Sequence, residues 1–309
     1  MSVSIRPPRD PAEVARLVNA ASRAEYGSDS YSEDEIRRWF SLPRLDVQRD
    51  MFVAEEAGRP VAYADVGDAG ENGEQFWIDL CLPPDATDAA GEKLVEAATR
   101  RAREIAAGRR PEGDSRIIAG AASTNERAGR LLASAGFRLY RQSYRMAIDL
   151  DGDLPEPRFP DGIEVRTLQP GEERAVFDAV EEAFRDSWDH VPGVFEQWRH
   201  WLMEYESFDA DLWWIARDGD EIAGFCLCRP HEGEPGTGWV SSLGVRRPWR
   251  RRGLARALLL RSFHEFARRG FSRVALGVDA ESLTGANRLY ESAGMRPIRE
   301  THMYEKTLA

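Results

Sequence analysis

An arginine-rich turn separates an apolar segment from a helical pattern in the second half of the chain. Residues 239–245 have the apolar character of a strand, and the turn then reads Arg250-x-x-Gly253-x-Ala255. Leucine and phenylalanine follow at helical spacing to about Arg269. A helix N-terminus presents unpaired backbone N–H groups and a partial positive charge, both of which attract phosphate. We therefore expect a phosphate-binding loop here.

The residue types of this turn suit a pyrophosphate. Gly253 lets the backbone approach a ligand closely, and Ala255 is small enough to do the same. The arginines of the turn, which supply charge-assisted donors, are Arg246, Arg247, Arg250, Arg251 and Arg252. Such a run could also be a solvated face or bind nucleic acid. The Gly-x-Ala spacing after an apolar strand favours the phosphate loop.

A second pattern, Thr284-Gly-Ala-Asn-Arg-Leu-Tyr290-Glu-Ser-Ala-Gly-Met295, follows about 35 residues later. Together the two patterns resemble the acyl-CoA-binding core of the GNAT superfamily of N-acetyltransferases. The resemblance to tandem GNAT proteins covers almost the whole chain and is most specific in the second half. It implies direct transfer of an acyl group from acetyl-CoA, or another acyl-CoA, to a primary amine of a small molecule.

The resemblance also implies roles for particular residues. Tyr290 matches the general acid that protonates the leaving thiolate; the alternative is a packing tyrosine on an amphipathic helix. The positions that the resemblance assigns to the cofactor are Leu243, Gly244, Val245, Arg250, Arg251, Arg252, Gly253, Leu254, Ala255, Ser282 and Asn287. Related sequences commonly carry Asn at the position of Ser282, so cofactor affinity or the acyl group could differ.

The general base is open at this point. Families often place a carboxylate on the strand of Trp239, but residues 239–245 contain no acid. Asp279, Glu281 and His190 are the candidate bases, and each has a structural alternative. A chain of water molecules without a dedicated base is a further possibility.

The second half of the chain repeats the first. Residues 52–62 match residues 214–224 at an offset of 162, and residues 130–136 match residues 288–294 at an offset of 158. Residues 151–160 contain three prolines and three acidic residues and resemble a linker. We therefore expect a GNAT-like domain at 1–150, a linker at 151–160 and a second GNAT domain at 161–309.

The coarse order of strands and helices is the same in both halves and predicts an α/β (α+β) fold. Each domain should contain a central mixed, mostly antiparallel sheet flanked by helices. The second domain should bind acyl-CoA and catalyse the reaction. In the first, Asp85 and Asp88 stand where cations are wanted, Gly91 and Lys93 compensate poorly, and Leu132 replaces the tyrosine. We expect the first domain to be degenerate and to have a structural or acceptor-shaping role.

An aromatic segment, 183–211, is the predicted acceptor region. Its aromatic side chains could line a cleft, but Trp198, Trp201 and Tyr205 fall on one helical face, which favours packing in a core. Cys226 and Cys228 share one face of a strand and are expected to be small apolar residues, with a thiol nucleophile as the minor alternative.

Composition excludes several classes of protein. The net charge of −11 argues against general nucleic-acid binding, and five scattered histidines show no metal-ligand spacing. Three cysteines without a disulfide pattern fit a reducing cytoplasm, and no signal peptide or 18-residue apolar run predicts export or membrane insertion. Hence we expect no metal, no nucleic acid and no membrane partner.

Two other functions remain at this stage: a non-catalytic acyl-CoA-binding or sensor protein, and a protein or peptide N-acetyltransferase. The missing strand acid and Ser282 motivate the first of these. A tandem repeat can form a pseudo-dimer within one chain, so we expect a monomer.

Overall fold

The computed structural model describes residues 2–68, 73–109, 113–187, 190–204, 208–281 and 285–308. The chain forms two compact units. The first comprises Met1–Gln142, Glu232–Glu234 and Glu300–Ala309, and the second comprises Ser143–His231 and Pro235–Arg299.

The first unit contains a sheet with helices against it. Its strands are β1 (Val3–Arg6), β2 (Met51–Glu56), β3 (Arg59–Asp68), β4 (Gln75–Cys81) and β5 (Ser115–Ala122). Its helices are α1 (Pro11–Tyr26), α2 (Glu33–Trp39), α3 (Val47–Asp50), α4 (Asp88–Arg109) and α5 (Glu126–Ser134). The turn between β2 and β3 has positive φ at both Ala57 and Gly58, the geometry that suits a two-residue hairpin.

The second unit repeats this plan. Its strands are β7 (Glu164–Thr167), β8 (Trp213–Asp218), β9 (Glu221–Pro230), β10 (Thr237–Val245) and β11 (Arg273–Asp279). Its helices are α6 (Glu173–Phe184), α7 (Phe195–Met203), α8 (Leu254–Arg268) and α9 (Ala286–Ser292). The helix predicted to follow the arginine turn is therefore confirmed as α8.

Two strands remain, β6 (Arg138–Asp149) and β12 (Arg296–Leu308). Strand β6 completes the sheet of the second unit, and β12 completes the sheet of the first. Residues 143–149 of β6 pair antiparallel with β11 in the second unit, and residues 301–308 of β12 pair antiparallel with β5 in the first. This exchange is absent from the sequence-based division at residues 150 and 161. Local patterns do not encode it, because either edge offers the same backbone hydrogen bonds to a terminal strand.

Each unit has a mixed, mostly antiparallel sheet, as the sequence predicts. The parallel pairs are β4 with β5 and β10 with β11, and the other described pairs are antiparallel. Strand order is β1-β2-β3-β4-β5-β12 in the first unit and β6-β11-β10-β9-β8-β7 in the second.

In the second unit, cores form on both faces of the sheet. Helix α8 packs Leu258, Leu259 and Phe263 against one face, and helices α6 and α7 pack against the other. The predicted linker lies within the second unit, where Leu154 and Phe159 pack against the α8 side of the core.

The aromatic segment mostly supplies core, as its helical spacing predicts. Trp198 packs edge-on against Phe177 and Trp213, and Phe208 packs edge-on against Trp213. Trp201 differs, because 40% of it is exposed. Tyr205 and Trp188 lie outside the described residues. Cys226 and Cys228 are buried, in agreement with the prediction of small apolar residues.

Candidate active site

A cavity of about 880 Å³ lies in the second unit. Its walls come from segments that are far apart in the sequence: the end of α6, strand β10, the start of α8, the end of β11 and helix α9. The cavity brings together most of the positions that the sequence assigns to a cofactor. These are Leu243, Gly244, Val245, Arg250, Arg251, Gly253, Leu254 and Ala255.

One wall forms where two parallel strands separate. The pairing of β10 with β11 is confined to Thr237–Trp239 and Arg273–Ala275, although β10 continues to Val245 and β11 to Asp279. On its other edge β10 stays paired with β9. The edge of β10 from Ser241 to Val245 therefore faces the cavity with backbone N–H and C=O groups that can bind an extended ligand.

Strand β10 also contains a bulge. Its register against β9 shifts between Val240 and Ser242, so Ser241 is an extra residue without a partner on β9. A bulge bends its strand and redirects the neighbouring groups. In the first unit, β4 pairs with β3 without a shift from Tyr63–Cys81 to Asp68–Phe76.

The predicted phosphate loop, residues 250–255, has the backbone geometry of an anion site. Gly253 is the N-cap of α8 with φ of +82°, and Arg251 has φ of +61°. A Cβ on Gly253 would meet no described atom within 4 Å, so a ligand can reach this backbone. No side chain caps α8, and in the described chain the N–H groups of Leu254, Ala255 and Arg256 have no hydrogen-bond acceptor. These unpaired donors and the helix dipole together suit a phosphate.

The arginines of the loop are not equivalent. Arg250 donates from Nε to the Val245 carbonyl (3.0 Å) and from Nη2 to the Ala183 carbonyl (2.9 Å), and its Nη1 is 2.9 Å from Asp186. Arg247 also binds Asp186, and Arg246 pairs with Glu182 and Glu221. Arg250 thus braces the loop against the end of α6, a role that the sequence did not indicate. Arg251 and Arg252 are both exposed. Arg251 lines the cavity, whereas Arg252 is not among the described residues of the cavity wall and contacts the Asp161 carbonyl at 3.5 Å.

Asp186 is a residue of the cavity wall that the sequence did not single out as a site residue. The guanidinium groups of Arg247 and then Arg250 lower the pKa of its carboxyl to about 2. It is therefore a permanent anion held by two cations and too weak a base to deprotonate an amine. The sequence does not predict this ion-pair cluster, because 61 residues separate Asp186 from Arg247 and 64 separate it from Arg250.

Tyr290 lies on α9 and its side chain lines the cavity while only 8% of the residue is exposed. Burial, with a smaller contribution from Cys226, raises the pKa of the phenol to about 12. The hydroxyl therefore keeps its proton at any ordinary pH and can act as a proton donor.

The three candidate bases are placed differently. Asp279 lines the cavity and its Oδ1 accepts a hydrogen bond from the Glu281 N–H at 2.8 Å. Among the described residues of the cavity wall, neither Glu281 nor His190 is present; the His190 ring instead lies 3.3 Å from Glu181.

The two remaining predicted cofactor positions, Asn287 and Ser282, are not among the described residues of the cavity wall. Asn287 donates from Nδ2 to the carbonyls of Asp279 (3.1 Å) and Ala280 (2.6 Å) and so fixes the end of β11. Ser282 lies outside the described residues.

The corresponding helix end in the first unit is built differently. Helix α4 begins at Asp88, and the Glu56 carboxylate accepts from the N–H (3.2 Å) and hydroxyl of Thr87 just before it. Gly91 lies inside the helix, where a Cβ would come within 2.8 Å of Leu131. Lys93 donates to the Val3 carbonyl at 2.5 Å. The chain's own carboxylate and packing thus occupy the place that the phosphate loop has in the second unit.

The first unit also contains two acids that lie opposite each other on neighbouring strands. Asp65 on β3 and Asp79 on β4 are register partners, and the Tyr63 hydroxyl donates to Asp65 at 2.7 Å. Burial first, and then the charge of Asp79, raise the pKa of Asp65 well above its usual range; burial also raises the pKa of Asp79. Among the described residues, no arginine or lysine contributes to either shift.

Over the described residues, no three His, Cys, Asp or Glu side chains form a group that could hold a metal ion. Within the same part of the chain, no helix is both long enough and apolar enough to cross a membrane.

Comparison with known proteins agrees with this geometry. A sequence profile of the Acetyltransferase (GNAT) family matches residues 174–295. Mycothiol acetyltransferase (mycothiol synthase) of Thermomonospora curvata is 31% identical over 296 residues, covering 92% of this chain and 97% of that protein.

Two solved structures share the architecture. A GCN5-related N-acetyltransferase from Sphaerobacter thermophilus has 34% identity and a TM-score of 0.80, covering 99% of this chain and 96% of that chain. A tandem GNAT protein from the clavulanic acid biosynthesis pathway has 15% identity and a TM-score of 0.72, covering 100% and 99%, a likeness of fold alone.

Proposed function

Because the chain belongs to the acetyltransferase (GNAT) family, we propose that its second unit transfers the acyl group of acetyl-CoA directly to a primary amine of a small molecule. The observation that carries the proposal is the single cavity that joins the open edge of β10, the uncapped N-terminus of α8 and the Tyr290 hydroxyl.

The cavity wall fits an acyl-CoA. The unpaired N–H groups at Leu254–Arg256 and the Arg251 side chain would hold the pyrophosphate, and the β10 edge at Leu243–Val245 would hydrogen-bond the pantetheine amides. Acetyl-CoA supplies an activated thioester, whose carbonyl carbon forms a bond to the amine nitrogen and whose carbon–sulfur bond breaks.

The residues of the chain then handle protons and charge. A backbone N–H of β10 would stabilise the negative charge that develops on the carbonyl oxygen. Tyr290 would give its phenolic proton to the departing sulfur. Of the carboxylates in the described cavity wall, Asp186 is held by two arginines, so we assign removal of the amine proton to Asp279, acting directly or through water.

The Thermomonospora curvata relative is named for mycothiol, but β10 of this chain has no acid where GNAT families often place one. We therefore propose a small-molecule amine as the acceptor class and leave its identity to an acceptor screen.

We propose that the first unit holds no cofactor. Glu56 and Thr87 cap the helix end that would face a pyrophosphate, β4 lacks the bulge, and Leu132 is fully buried in the place of the tyrosine. Its role would be to shape the enzyme rather than to bind acetyl-CoA.

We also propose a monomer in a reducing cytoplasm. The three cysteines are free thiols, including Cys226 and Cys228, whose sulfur atoms are 3.6 Å apart. Sedimentation equilibrium should give the mass of one chain.

Native mass spectrometry with acetyl-CoA tests the number and place of the sites. Ala255→Glu puts a carboxylate into the first turn of α8, and Lys93→Gln is the matched change in the first unit that keeps a donor for Val3. We expect one bound molecule in the wild type and in Lys93→Gln, and none in Ala255→Glu. Two bound molecules, or loss in Lys93→Gln alone, would contradict the assignment.

A further inference from the structure

The Ser241 hydroxyl has no role in the reaction proposed above. Ser241 is the extra residue of the β10 bulge and lines the same cavity as Tyr290. Its Oγ is shielded from solvent and has no hydrogen-bond partner among the residues that the structure describes. A shielded hydroxyl without a partner destabilises the protein, so a ligand group that supplies the partner is favoured here.

The position of Ser241 along β10 limits which group that can be. The strands are still paired at Trp239, and Leu243–Val245 form the edge suited to pantetheine. Ser241 lies between these two points, where the fork between β10 and β11 begins. A group that reaches this point beside the thioester comes from the acceptor rather than from the cofactor's backbone-bound arm.

The chemistry of the neighbouring side chains further limits which acceptor group can bind the Ser241 hydroxyl. A serine hydroxyl can accept one hydrogen bond from an amine N–H while leaving the nitrogen lone pair available for attack. It carries no charge, and β10 has no carboxylate that would hold an ammonium ion. Asp186 is committed to Arg247 and Arg250. Asp279, the third group to consider, lines the same cavity and is the base that we assign to take the proton of an ammonium ion, which leaves a neutral amine for Ser241.

We infer that the Ser241 hydroxyl binds the acceptor's nucleophilic amine in its neutral form and orients it towards the thioester. This inference rests on the proposed function. It makes Ser241 a residue for acceptor binding, separate from the phosphate loop and from the proton donor Tyr290.

The test compares Ser241→Ala with wild type, using glucosamine, cysteine and a short lysine peptide as acceptors. We expect kcat/KM for the best amine to fall about tenfold, the effect of losing one hydrogen bond to a buried group. The Kd for acetyl-CoA and the slow hydrolysis of acetyl-CoA without an amine should stay unchanged. Ser241→Thr, which keeps the hydroxyl, should recover part of the loss.

Ser272→Ala is the matched control, because Ser272 lies outside the cavity and its hydroxyl donates to the Gly236 carbonyl. A parallel loss of acetyl-CoA affinity would assign Ser241 to pantetheine, an equal loss of hydrolysis would assign it to the thioester oxygen, and unchanged transfer would leave it no role; each result overturns the inference. If the wild type acetylates no amine, the proposed function fails first and the inference fails with it.

Discussion

Tyr290 is the residue on which the proposed chemistry depends most directly. Burial raises the pKa of its phenol to about 12, above the value of about 8.5 that a thiol has in water. Proton transfer to a thiolate would be unfavourable if the thiolate stayed solvated. Burial raises the pKa of the thiol in the same cavity as well, so the two groups come closer in acidity during the reaction.

Substitution of this tyrosine tests its role at the scale of one atom. Tyr290→Phe should lower kcat by about 10² to 10⁴-fold, because the proton donor is lost, while acetyl-CoA affinity stays within about twofold. Steady-state kinetics and calorimetry measure the two effects, and Tyr144→Phe on β6 is the control.

The pH dependence has a definite sign. Because the pKa of Tyr290 is raised to about 12, the wild type should show no loss of kcat from tyrosine ionisation between pH 7 and about pH 10. A descending limb near pH 9 that disappears in Tyr290→Phe would refute the assignment.

At the scale of elements, the two units differ around the point where their two parallel strands separate. In both, the pairing ends before the strands do: β10 leaves β11 after Trp239, and β4 leaves β5 after Ile78. Only the second unit adds the bulge at Ser241 and the uncapped α8, and it is there that a described cavity contains a tyrosine. The equivalent strands of the first unit instead carry Asp65 and Asp79.

The acidic pair on β3 and β4 makes a prediction about stability. A carboxyl whose pKa is raised in the folded state binds its proton more tightly than the unfolded chain does. The free energy of unfolding should therefore fall as pH rises from about 4, the unfolded pKa, through the raised pKa of Asp65. Asp65→Asn should flatten this fall and raise the Tm at pH 8 by a few degrees, or about 1 kcal/mol.

Glu13→Gln is the control of opposite sign. The Glu13 carboxylate is paired with Arg6 at 2.6 Å and accepts from the Arg9 N–H at 2.8 Å, and Arg6 lowers its pKa, so its neutralisation should lower the Tm. Thermal unfolding monitored by circular dichroism between pH 4 and pH 9 measures both variants. A lower Tm for Asp65→Asn at pH 8 would show that its charge is stabilised in the fold.

At the scale of the molecule, each unit is completed by the last strand of the other half of the sequence. Residues 301–308 close the first unit against β5, and residues 143–149 close the second against β11. Leu308 lies in the core of the first unit, and Lys306 donates to the Ala135 carbonyl at 2.6 Å. The last strand is therefore part of the stability of the first unit.

Deletion of residues 300–309 should unfold the first unit selectively. The truncated chain loses the partner of β5 and exposes an apolar sheet edge, so a separate low-temperature transition should appear while acetyl-CoA binding by the second unit persists. Differential scanning calorimetry with and without acetyl-CoA measures this. A single unshifted transition would mean that the strand adds little.

Particular residues show which features of the site can be predicted from the sequence and which cannot. The turn before α8, helix α8 itself and the helical position of Tyr290 were predictable, because glycine, helical periodicity and a local motif encode them within about 50 residues. Phosphate binding by the turn and proton donation by Tyr290 stay predictions. Arg250 was predicted to bind phosphate, but the structure also gives it a bracing role through Asp186 and two carbonyls. Ser241 had no predicted role, because neither a bulge nor an unpaired hydroxyl leaves a signal in one sequence.

The sequence alone therefore determined the class of fold, the repeat of one pattern in both halves and the turn before α8 to which we assign the cofactor. These depend on backbone conformation, apolar periodicity and charge over short stretches, which residue types specify directly. Tertiary structure alone decided which strands close each sheet, which candidate acid enters the cavity and which arginines are already paired. Those outcomes depend on contacts between residues 61 to 193 positions apart, such as Arg247 with Asp186 and Leu308 with Ser115, and local patterns do not encode them.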